Sequence, residues 1–204
     1  MFTGIVQEKG TLVDVKRSAD LVTFRVSFPN GFTSGITQGA SVSLDGCCLT
    51  VTGIFGDELT FDLVPETIAR TGFRNAVVGT LVNAERSLRF GDEVGGHILS
   101  GHIDTVATIV DVQKFEHSRV VTFQVPAEFS KFLFEKGYVA INGASLTITF
   151  VDRVAGNFKV SLIPETLAKT TFGDAKVGDI VNIEVDRTTQ AIVTTVERVL
   201  AERR

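Results

Sequence analysis

The stretch DGCCLTV at residues 45–51 returns, little changed, as NGASLTI at residues 142–148. Other segments repeat in matching order: FTGIV at 2–6 and LSGHI at 99–103, VPET at 64–67 and IPET at 163–166, RTGF at 70–73 and KTTF at 169–172. The offset is 97 residues at first and 99 after a two-residue insertion in the second copy. A period of this length is that of a small domain, not of a solenoid unit. The sequence therefore predicts two similar halves, at about 1–87 and 98–186, joined by residues 88–97.

Within each half, apolar and polar residues alternate with a period of two, and turn residues recur about every 8–12 positions. Segments such as LVTFRVSF at 21–28 and CCLTVTGIF at 47–55 are typical of strands. About six short strands per half favour a closed antiparallel barrel, because closure leaves no exposed sheet edge. The predicted fold class is all-β, with two similar six-stranded antiparallel Greek-key barrels followed by a C-terminal α-helix.

The end of the chain has a helical pattern. Its apolar residues fall on one stripe of a helix, namely Ile192, Val193, Val196, Val199 and Leu200. Asp186, Thr188 or Thr189 would cap its first turn. A helix this short is marginal alone in water, so we expect its stripe to pack against copies of itself. The predicted units are residues 1–97, the first barrel; 98–187, the second barrel; and 188–204, a trimerisation helix.

Composition excludes several classes of function. The chain has 204 residues, 44% of them hydrophobic, and a net charge of -4. Lysines and arginines form no basic stripe, so a nucleic-acid partner is not expected, and no apolar run approaches the roughly 20 residues of a membrane-spanning helix. The N-terminus lacks the pattern of a signal peptide. The two cysteines, Cys47 and Cys48, are strand neighbours on opposite faces, so we expect free thiols and a cytoplasmic protein.

Strand alternation separates these two thiols. Cys47, Leu49 and Val51 share one face, which is apolar, whereas Cys48 lies on the other face with Thr50. The second half has Ser145 at the position of Cys48. The halves also differ where His102 replaces Ile5, Lys136 replaces Gln38 and Asp186 replaces Ser87. Two sites of one kind with different side chains suit a reaction between two copies of one substrate.

Two of the three histidines, His97 and His102, lie in GGHILSGHID at 95–104. Their spacing of five places them on opposite faces of a strand and matches no zinc pattern, so no metal site is predicted. They are either hydrogen-bonded linker residues or groups that exchange protons near neutral pH. His117, in a polar turn, is expected to be solvated. No phosphate-binding or dinucleotide glycine pattern is present, and no cofactor is predicted.

Taken together, MFTGIVQ, GCCLTV, GGHILSGH, NGASLT, IPETL and TQAIVTTVERVL resemble the riboflavin synthase family from Met1 to about Leu200. The resemblance implies a transferase that needs no cofactor. Two molecules of 6,7-dimethyl-8-ribityllumazine would give riboflavin and a ribitylaminopyrimidinedione. It also implies a homotrimer with active sites between subunits, and it suggests lumazine synthase as a further partner.

The resemblance also assigns site residues, position by position. In the first half, substrate-binding positions are Phe2, Gly4, Ile5, Val6, Ser41, Cys48, Leu49, Thr50, Asp62, Leu63, Val64, Pro65, Glu66 and Thr67. In the second half they are Gly101, His102, Ile103, Lys136, Ser145, Leu146, Thr147, Ile163, Pro164, Glu165 and Thr166. Each group is expected to line the pocket of its own barrel. The catalytic positions are Cys48, His97, His102, Ser145 and Asp186.

The expected chemistry fits these residue types. His97 and His102 would move protons, Cys48 and Ser145 would act as nucleophiles or hydrogen-bond donors, and Asp186 would orient one of them. The chain departs from the family pattern in VPET and in the arginine that follows Asp186. Two rival functions remain: a non-catalytic lumazine or flavin antenna of the same fold, and a small-barrel interaction or oligonucleotide module.

Overall fold

The computed structural model describes residues 1–29 and 31–203. The twelve strands of these residues form two closed barrels. The first barrel contains β1 Glu8–Arg17, β2 Val22–Ser27, β3 Ser41–Leu44, β4 Cys47–Phe55, β5 Glu58–Leu63 and β6 Leu81–Arg86. The second contains β7 Thr105–Lys114, β8 Arg119–Gln124, β9 Tyr138–Ile141, β10 Ala144–Asp152, β11 Asn157–Leu162 and β12 Ile180–Val185. Arg204, the last residue of the predicted helical segment, lies outside the described residues.

The two barrels have equivalent strand orders. The first is β1-β2-β5-β4-β3-β6, and the second reads β7-β8-β11-β10-β9-β12 around the ring. In each, the chain crosses from the second strand to the third and returns through the fourth and fifth, which is a Greek-key path. Every second residue along a strand faces inward, and these apolar side chains form the packed core of each barrel.

Short helices connect the strands. α1 spans Pro65–Arg70 and α2 spans Pro164–Lys169, and each begins with the proline of the repeated PET sequence. Proline suits the first position of a helix because its missing N–H has no intrahelical partner there. Single 3₁₀ turns occur at Gly72–Asn75, Ala127–Phe132 and Thr171–Asp174. α3, at Arg187–Glu202, is the C-terminal helix.

The barrels meet through their β3–β4 and β9–β10 turns. Asp45 and Asn142 both have φ 43°, and the glycine after each also has a positive φ, as a two-residue hairpin turn requires. The two turns touch: a Cβ added at Gly46 would lie 2.8 Å from the backbone nitrogen of Gly143. Contacts across this junction repeat in both directions, since the Asn83 Nδ2 donates to the Asn142 carbonyl and the Asn182 side chain donates to the Asp45 carbonyl, each at 2.9 Å.

The predicted fold class is confirmed: two six-stranded antiparallel barrels and a C-terminal helix. Asp186 is the residue that caps α3, accepting a hydrogen bond from the backbone of Thr189 at 2.8 Å. The short helices α1 and α2 were not foreseen, because six residues are too few to show a helical periodicity. Within the described residues, no helix is long and apolar enough to cross a membrane.

Candidate active site

The N-terminal segment of the chain lies against the second barrel rather than the first. The Ser145 N–H donates to the Gly4 carbonyl at 2.8 Å, and Val6 packs against the second-barrel core. Together they form one side of a cavity of about 370 Å³, a volume within the range of small-molecule sites. Its lining comprises Gly4, Ile5, Val6, Gln7, Ala144, Ser145, Leu146, Glu165, Thr166, Lys169 and Thr170.

The corresponding segment of the second half lies against the first barrel. The Cys48 N–H donates to the Gly101 carbonyl at 2.8 Å, and Ile103 packs against the first-barrel core. The two glycines are needed at these contacts. Each has a positive φ, and a Cβ on Gly4 or Gly101 would come within 2.5 Å of the Cβ of Ser145 or Cys48.

The expected grouping of residues by half is therefore wrong. Gly4, Ile5 and Val6 belong with the second barrel's site, and the segment from Gly101 to Ile103 belongs with the first barrel's site. The repeat could not reveal this exchange, because equivalent segments make equivalent contacts whether they pack on their own barrel or on the other. We name the two places the Ser145 site and the Cys48 site.

Two buried carboxylates hold the exchanged segments. Glu85 accepts hydrogen bonds from the backbone of Thr3 at 2.6 Å, from its hydroxyl at 2.8 Å and from the Gly4 N–H at 3.0 Å. Glu184 accepts the same three bonds from Ser100 and Gly101. Burial raises the pKa of Glu85, although the bonds from Thr3 and Gly4 act against this rise. These carboxylates were missed at the sequence level, yet they recur at equivalent repeat positions, and that was the available signal.

His97 reaches the Ser145 site from the segment between the barrels. Its backbone N–H donates to the Thr3 carbonyl at 3.1 Å, and its Nδ1 lies 2.6 Å from the Ser145 Oγ. The ring stacks on Tyr138, with 5.3 Å between centroids and 18° between planes. This close contact with Ser145 and the stacking fix the orientation of the imidazole. Tyr138 is a second residue that the sequence did not single out.

The electrostatic setting keeps His97 neutral. Burial lowers its pKa below the usual value, against the opposing charges of Asp186 and Glu184. Its Nε2 is buried without a hydrogen-bond partner among the described residues. Such atoms are uncommon because their desolvation is uncompensated. His97 thus fits a ring poised to exchange a proton better than one that serves packing alone.

Asp186 lies close to this histidine but has a structural task. Its carboxylate accepts from the Thr189 N–H at 2.8 Å and from the Thr189 hydroxyl at 2.7 Å, at the start of α3. Partial burial tends to raise the pKa of Asp186, but the bonds from Thr189 outweigh it and the pKa lies below its usual value. Asp186 is therefore charged near neutral pH and acts on His97 through its field.

The two thiols differ as alternation predicted. Cys47 is buried in the first-barrel core, and burial raises the pKa of its thiol to about 12, so it stays protonated. On the face opposite Cys47, Cys48 is half-buried and Thr50 is exposed. Both cysteines are free thiols. Cys48 is therefore the thiol available to a ligand.

His102 follows Gly101, whose carbonyl accepts from the Cys48 N–H, and is itself exposed. Its backbone N–H donates to the Ser100 hydroxyl at 3.3 Å, and its carbonyl accepts from Arg187 at 2.6 Å. The backbone of His102 is thus fixed while its ring faces outward. His97 and His102, the two histidines of the segment 95–104, therefore lie at different sites, as their spacing of five residues allows.

Other predicted residues stand at various distances from the pockets. Phe2 is buried between the barrels, where it pairs with Leu99 and packs with Cys48, so it acts through packing. Lys136 is exposed, with φ 65°, and its N–H donates to the Ile148 carbonyl. Ser41 lines a smaller cavity of about 160 Å³ beside Arg86. These three do not line the Ser145 pocket.

The remaining predicted residues lie on β4, β10 and the short helices. Leu49, Leu63 and Leu146 are buried, and of these three Leu146 lines the Ser145 cavity. The exposed or half-buried members flank the helix starts, namely Asp62, Val64, Pro65, Glu66, Thr67, Ile163, Pro164, Glu165 and Thr166, while Thr147 is exposed on β10. Among the described residues, no three His, Cys, Asp or Glu side chains cluster as a metal site would.

Two closed barrels that exchange equivalent segments define a class of protein. The sequence matches the family model of the lumazine binding domain twice, at residues 3–87 and 100–186, and the chain belongs to that family.

Named relatives narrow the comparison further. The chain is 46% identical to the riboflavin synthase of Escherichia coli (strain K12) over all 204 of its residues and 95% of that protein. It is 39% identical to the riboflavin synthase of Chlamydia pneumoniae, covering 98% of both chains. A crystal structure of LumP complexed with riboflavin is also similar, with a TM-score of 0.86 and 28% identity over 92% of this chain and all of that one.

Proposed function

We propose that this chain is a riboflavin synthase, a transferase that acts on two molecules of 6,7-dimethyl-8-ribityllumazine. One molecule gives a four-carbon unit to the other, and the products are riboflavin and 5-amino-6-ribitylamino-2,4(1H,3H)-pyrimidinedione. The observation that carries the proposal is the pair of equivalent sites with unequal side chains. One has Cys48 beside the segment of His102, and the other has Ser145 hydrogen-bonded to His97. Two sites with the same backbone contacts but different side chains suit a reaction in which two copies of one substrate take different roles.

The relatives support the same conclusion. Those named riboflavin synthase match 91–100% of this chain at 37–46% identity. The structures of LumP with riboflavin and with 6,7-dimethyl-8-(1'-D-ribityl) lumazine show that barrels of this kind hold such ligands in that protein. Similarity to the enzymes is higher in sequence and therefore favours turnover over simple binding.

The Ser145 site is suited to proton transfer. The donor's C7 methyl must lose a proton, and the resulting charge spreads into the pteridine ring. A neutral imidazole can accept a proton, directly or through the Ser145 hydroxyl at 2.6 Å. Burial keeps His97 in that neutral form. The tyrosine stacked on its face limits rotation of the ring, so little of the binding energy is lost in orienting it.

The Cys48 site is suited to the other half of the reaction. The acceptor must be attacked at C7 by hydroxide or by a protein nucleophile. Cys48 is half-buried on the strand, and the exposed His102 follows the glycine that touches it. These two groups are the proposed nucleophile or donor and the proposed acid–base group at that site. Lys136 and Ser41 remain proposed substrate-binding residues, as do the segments at 62–67 and 163–166.

Because the Ser145 site and the Cys48 site lie on different barrels, two substrates can meet only where two such sites face each other. We propose a homotrimer in which pockets of neighbouring subunits do so and residues 188–204 hold the assembly. Support comes from α3, where Ile192, Val196, Val199 and Leu200 are 39–59% exposed. Apolar residues on one helix stripe favour burial against another surface. Val193 packs instead on the second barrel, which seats the helix.

A charge on this stripe tests the assembly. Val196→Asp with Leu200→Asp should give a monomer at micromolar concentration in analytical ultracentrifugation, with turnover that rises as protein concentration rises. Arg198→Asp, on the same helix outside the stripe, is the control. A monomer with full turnover at every concentration would mean that one chain holds a complete site. We also propose a cytoplasmic location and an association with lumazine synthase, which co-sedimentation of the two proteins would reveal.

The function itself is tested by mixing the protein with 6,7-dimethyl-8-ribityllumazine. The expected result is the appearance of riboflavin absorbance, with one riboflavin formed per two lumazines consumed. Persistent ligand fluorescence without turnover would instead indicate an antenna protein of the same fold. Absence of both binding and turnover would favour an interaction module.

A further inference from the structure

Arg187 is the first residue of α3, a place where a cation is unfavourable because the helix N-terminus carries partial positive charge. Its side chain is nevertheless only 36% exposed and is directed at acceptors. Nη2 donates to the His102 carbonyl at 2.6 Å, and Nη1 donates to the Asp104 Oδ1 at 2.7 Å and to the Gln190 side chain at 2.8 Å. Nε lies 3.7 Å from the buried Glu184 Oε1. Charge-assisted bonds of this kind are short and directional.

Asp104 completes the connection to the second barrel. Its backbone N–H donates to the Ile183 carbonyl at 2.9 Å, and its Oδ2 accepts from the Val185 N–H at 2.9 Å. The side chain is 10% exposed, so its ion pair with Arg187 is shielded from water. The segment that carries His102 is thus fastened by Glu184 before the histidine, by Arg187 at its carbonyl, and by Asp104 after it.

The other exchanged segment has no such guanidinium. At the position of Asp104 the first half has Gln7, whose Oε1 accepts from the Arg86 N–H at 3.0 Å, which reproduces the bond to Val185. At the position of Arg187 it has Leu88, whose backbone N–H donates to the Met1 carbonyl. The backbone arrangement shared by the two segments therefore needs only a neutral side-chain acceptor at this position. The charged pair is an addition found on the side of His102.

We propose that Arg187 is a positioning residue for His102: by binding its carbonyl, the guanidinium fixes the backbone from which the imidazole extends at the Cys48 site. It does so from the first turn of α3, so the position of that first turn and the geometry of His102 depend on each other. This inference rests on the proposed function, because it assigns His102 a part in turnover.

The test is a double-mutant cycle between Arg187→Met and His102→Gln. Arg187→Met should lower kcat by about tenfold, as expected when a reacting group is misplaced by a fraction of its reach, while the Kd for riboflavin changes by less than about twofold. Arg187→Lys can reach one acceptor but not several, so it should give an intermediate kcat. In the His102→Gln background, Arg187→Met should add less than about twofold.

Lys131→Met provides a matched control. Lys131 also ties α3 to the second barrel, through an ion pair with Glu197 at 2.6 Å, but it has no contact with the His102 segment. It should leave kcat unchanged. A second readout is independent of turnover: amide hydrogen exchange over residues 100–104 should accelerate in Arg187→Met and not in Lys131→Met.

Each outcome decides the matter. An equal loss of kcat from Arg187→Met with and without His102, or no loss at all, overturns the positioning role. If Arg187→Met does not fold, Arg187→Lys and Asp104→Asn supply the same cycle. A wild-type protein that forms no riboflavin contradicts the proposed function. Unchanged amide hydrogen exchange over residues 100–104 in Arg187→Met contradicts the proposal that Arg187 fixes the backbone of His102.

Discussion

The Ser145 site and the Cys48 site are built on one frame and equipped differently. In both, a buried glutamate accepts three hydrogen bonds from the arriving segment, and a glycine with positive φ touches the reactive residue of the other barrel. The Ser145 site then receives His97, stacked on Tyr138, whereas the Cys48 site receives His102 on a segment held by a guanidinium. Duplication fixed the backbone contacts, and the side chains on that backbone were free to differ.

The junction between the barrels shows the same division. Asp45 and Asn142 occupy equivalent turns, and each side-chain Oδ1 accepts from the backbone N–H of the facing asparagine, Asn83 or Asn182. Only one of them can ionise. A neutral side-chain oxygen is thus sufficient to accept this hydrogen bond in either turn. The carboxyl of Asp45 adds a pH dependence of stability that the amide of Asn142 lacks.

Asp45→Asn should have the largest effect, because it removes the ionisable group that distinguishes the two turns. Burial raises the pKa of Asp45 from 3.8 to about 7, against the bond from Asn83. Because the folded-state pKa lies above the unfolded one, its contribution to stability is complete below about pH 4 and is lost as pH rises through about 7. The difference is at most about 4 kcal/mol. Urea unfolding at pH 5 and pH 8.5 should show that the variant gains more stability relative to the wild type at pH 8.5 than at pH 5.

A stability difference that is the same at both pH values would contradict this account, because a lost or gained contact without titration has no reason to depend on pH. Asn142→Asp offers the reverse experiment. It should introduce a loss of stability at alkaline pH on the second barrel's side of the junction.

His97→Gln should have the next largest effect, about 100-fold on kcat, within the range for loss of a general acid–base group. Glutamine can still hydrogen-bond to Ser145 but cannot exchange a proton, so riboflavin affinity should change little. Burial lowers the pKa of His97, so the acid limb of the wild-type kcat profile should lie below the usual imidazole range and vanish in the variant. His117→Gln, at an exposed turn, is the control; equal losses in both would refute a specific role.

Gly4→Ala and Gly101→Ala should each damage one site. Both positions have positive φ, and both Cβ atoms would meet the other barrel at 2.5 Å. Relief of this clash, which costs roughly 1–3 kcal/mol, displaces the exchanged segment from the site it contacts. We therefore expect about tenfold weaker binding of riboflavin at the Ser145 site in the first variant and at the Cys48 site in the second. Fluorescence titration with two classes of sites measures this.

Gly79→Ala is the matched control, because Gly79 has φ 90° with open space around it. It should carry the backbone strain without loss at either site. If Gly4→Ala and Gly101→Ala weakened the same class of site, the exchange of segments between barrels would be refuted.

Cys48→Ser should have the smallest effect, about threefold or less on kcat, because Ser145 occupies the equivalent position and a small hydrogen-bonding group serves there. Cys48→Ala should lose more, since it cannot form such bonds. Steady-state kinetics of the two variants separates the cases. Equal inactivity of serine and alanine would mean that a thiolate is required.

The repeat and the alternation within it determined much of this molecule in advance. They predicted two six-stranded barrels, the burial of Cys47, the accessibility of Cys48 and the helix that follows Asp186. These features are local: strand pairing requires a period of two, a helix requires an apolar stripe, and both are written in neighbouring residues. The list of site residues came from resemblance, and it stays a prediction.

The tertiary structure alone decided which segments share a site. Gly4 lies at Ser145 and Gly101 lies at Cys48 because the segments that precede β1 and β7 each cross to the opposite barrel. No local pattern encodes which copy of a segment packs on which barrel. The same holds for Glu85 and Glu184, Tyr138 and Arg187, whose partners are distant in sequence. Buried hydrogen bonds and ring contacts depend on three-dimensional proximity, so their effect on His97 and His102 could be read only once the chain was folded.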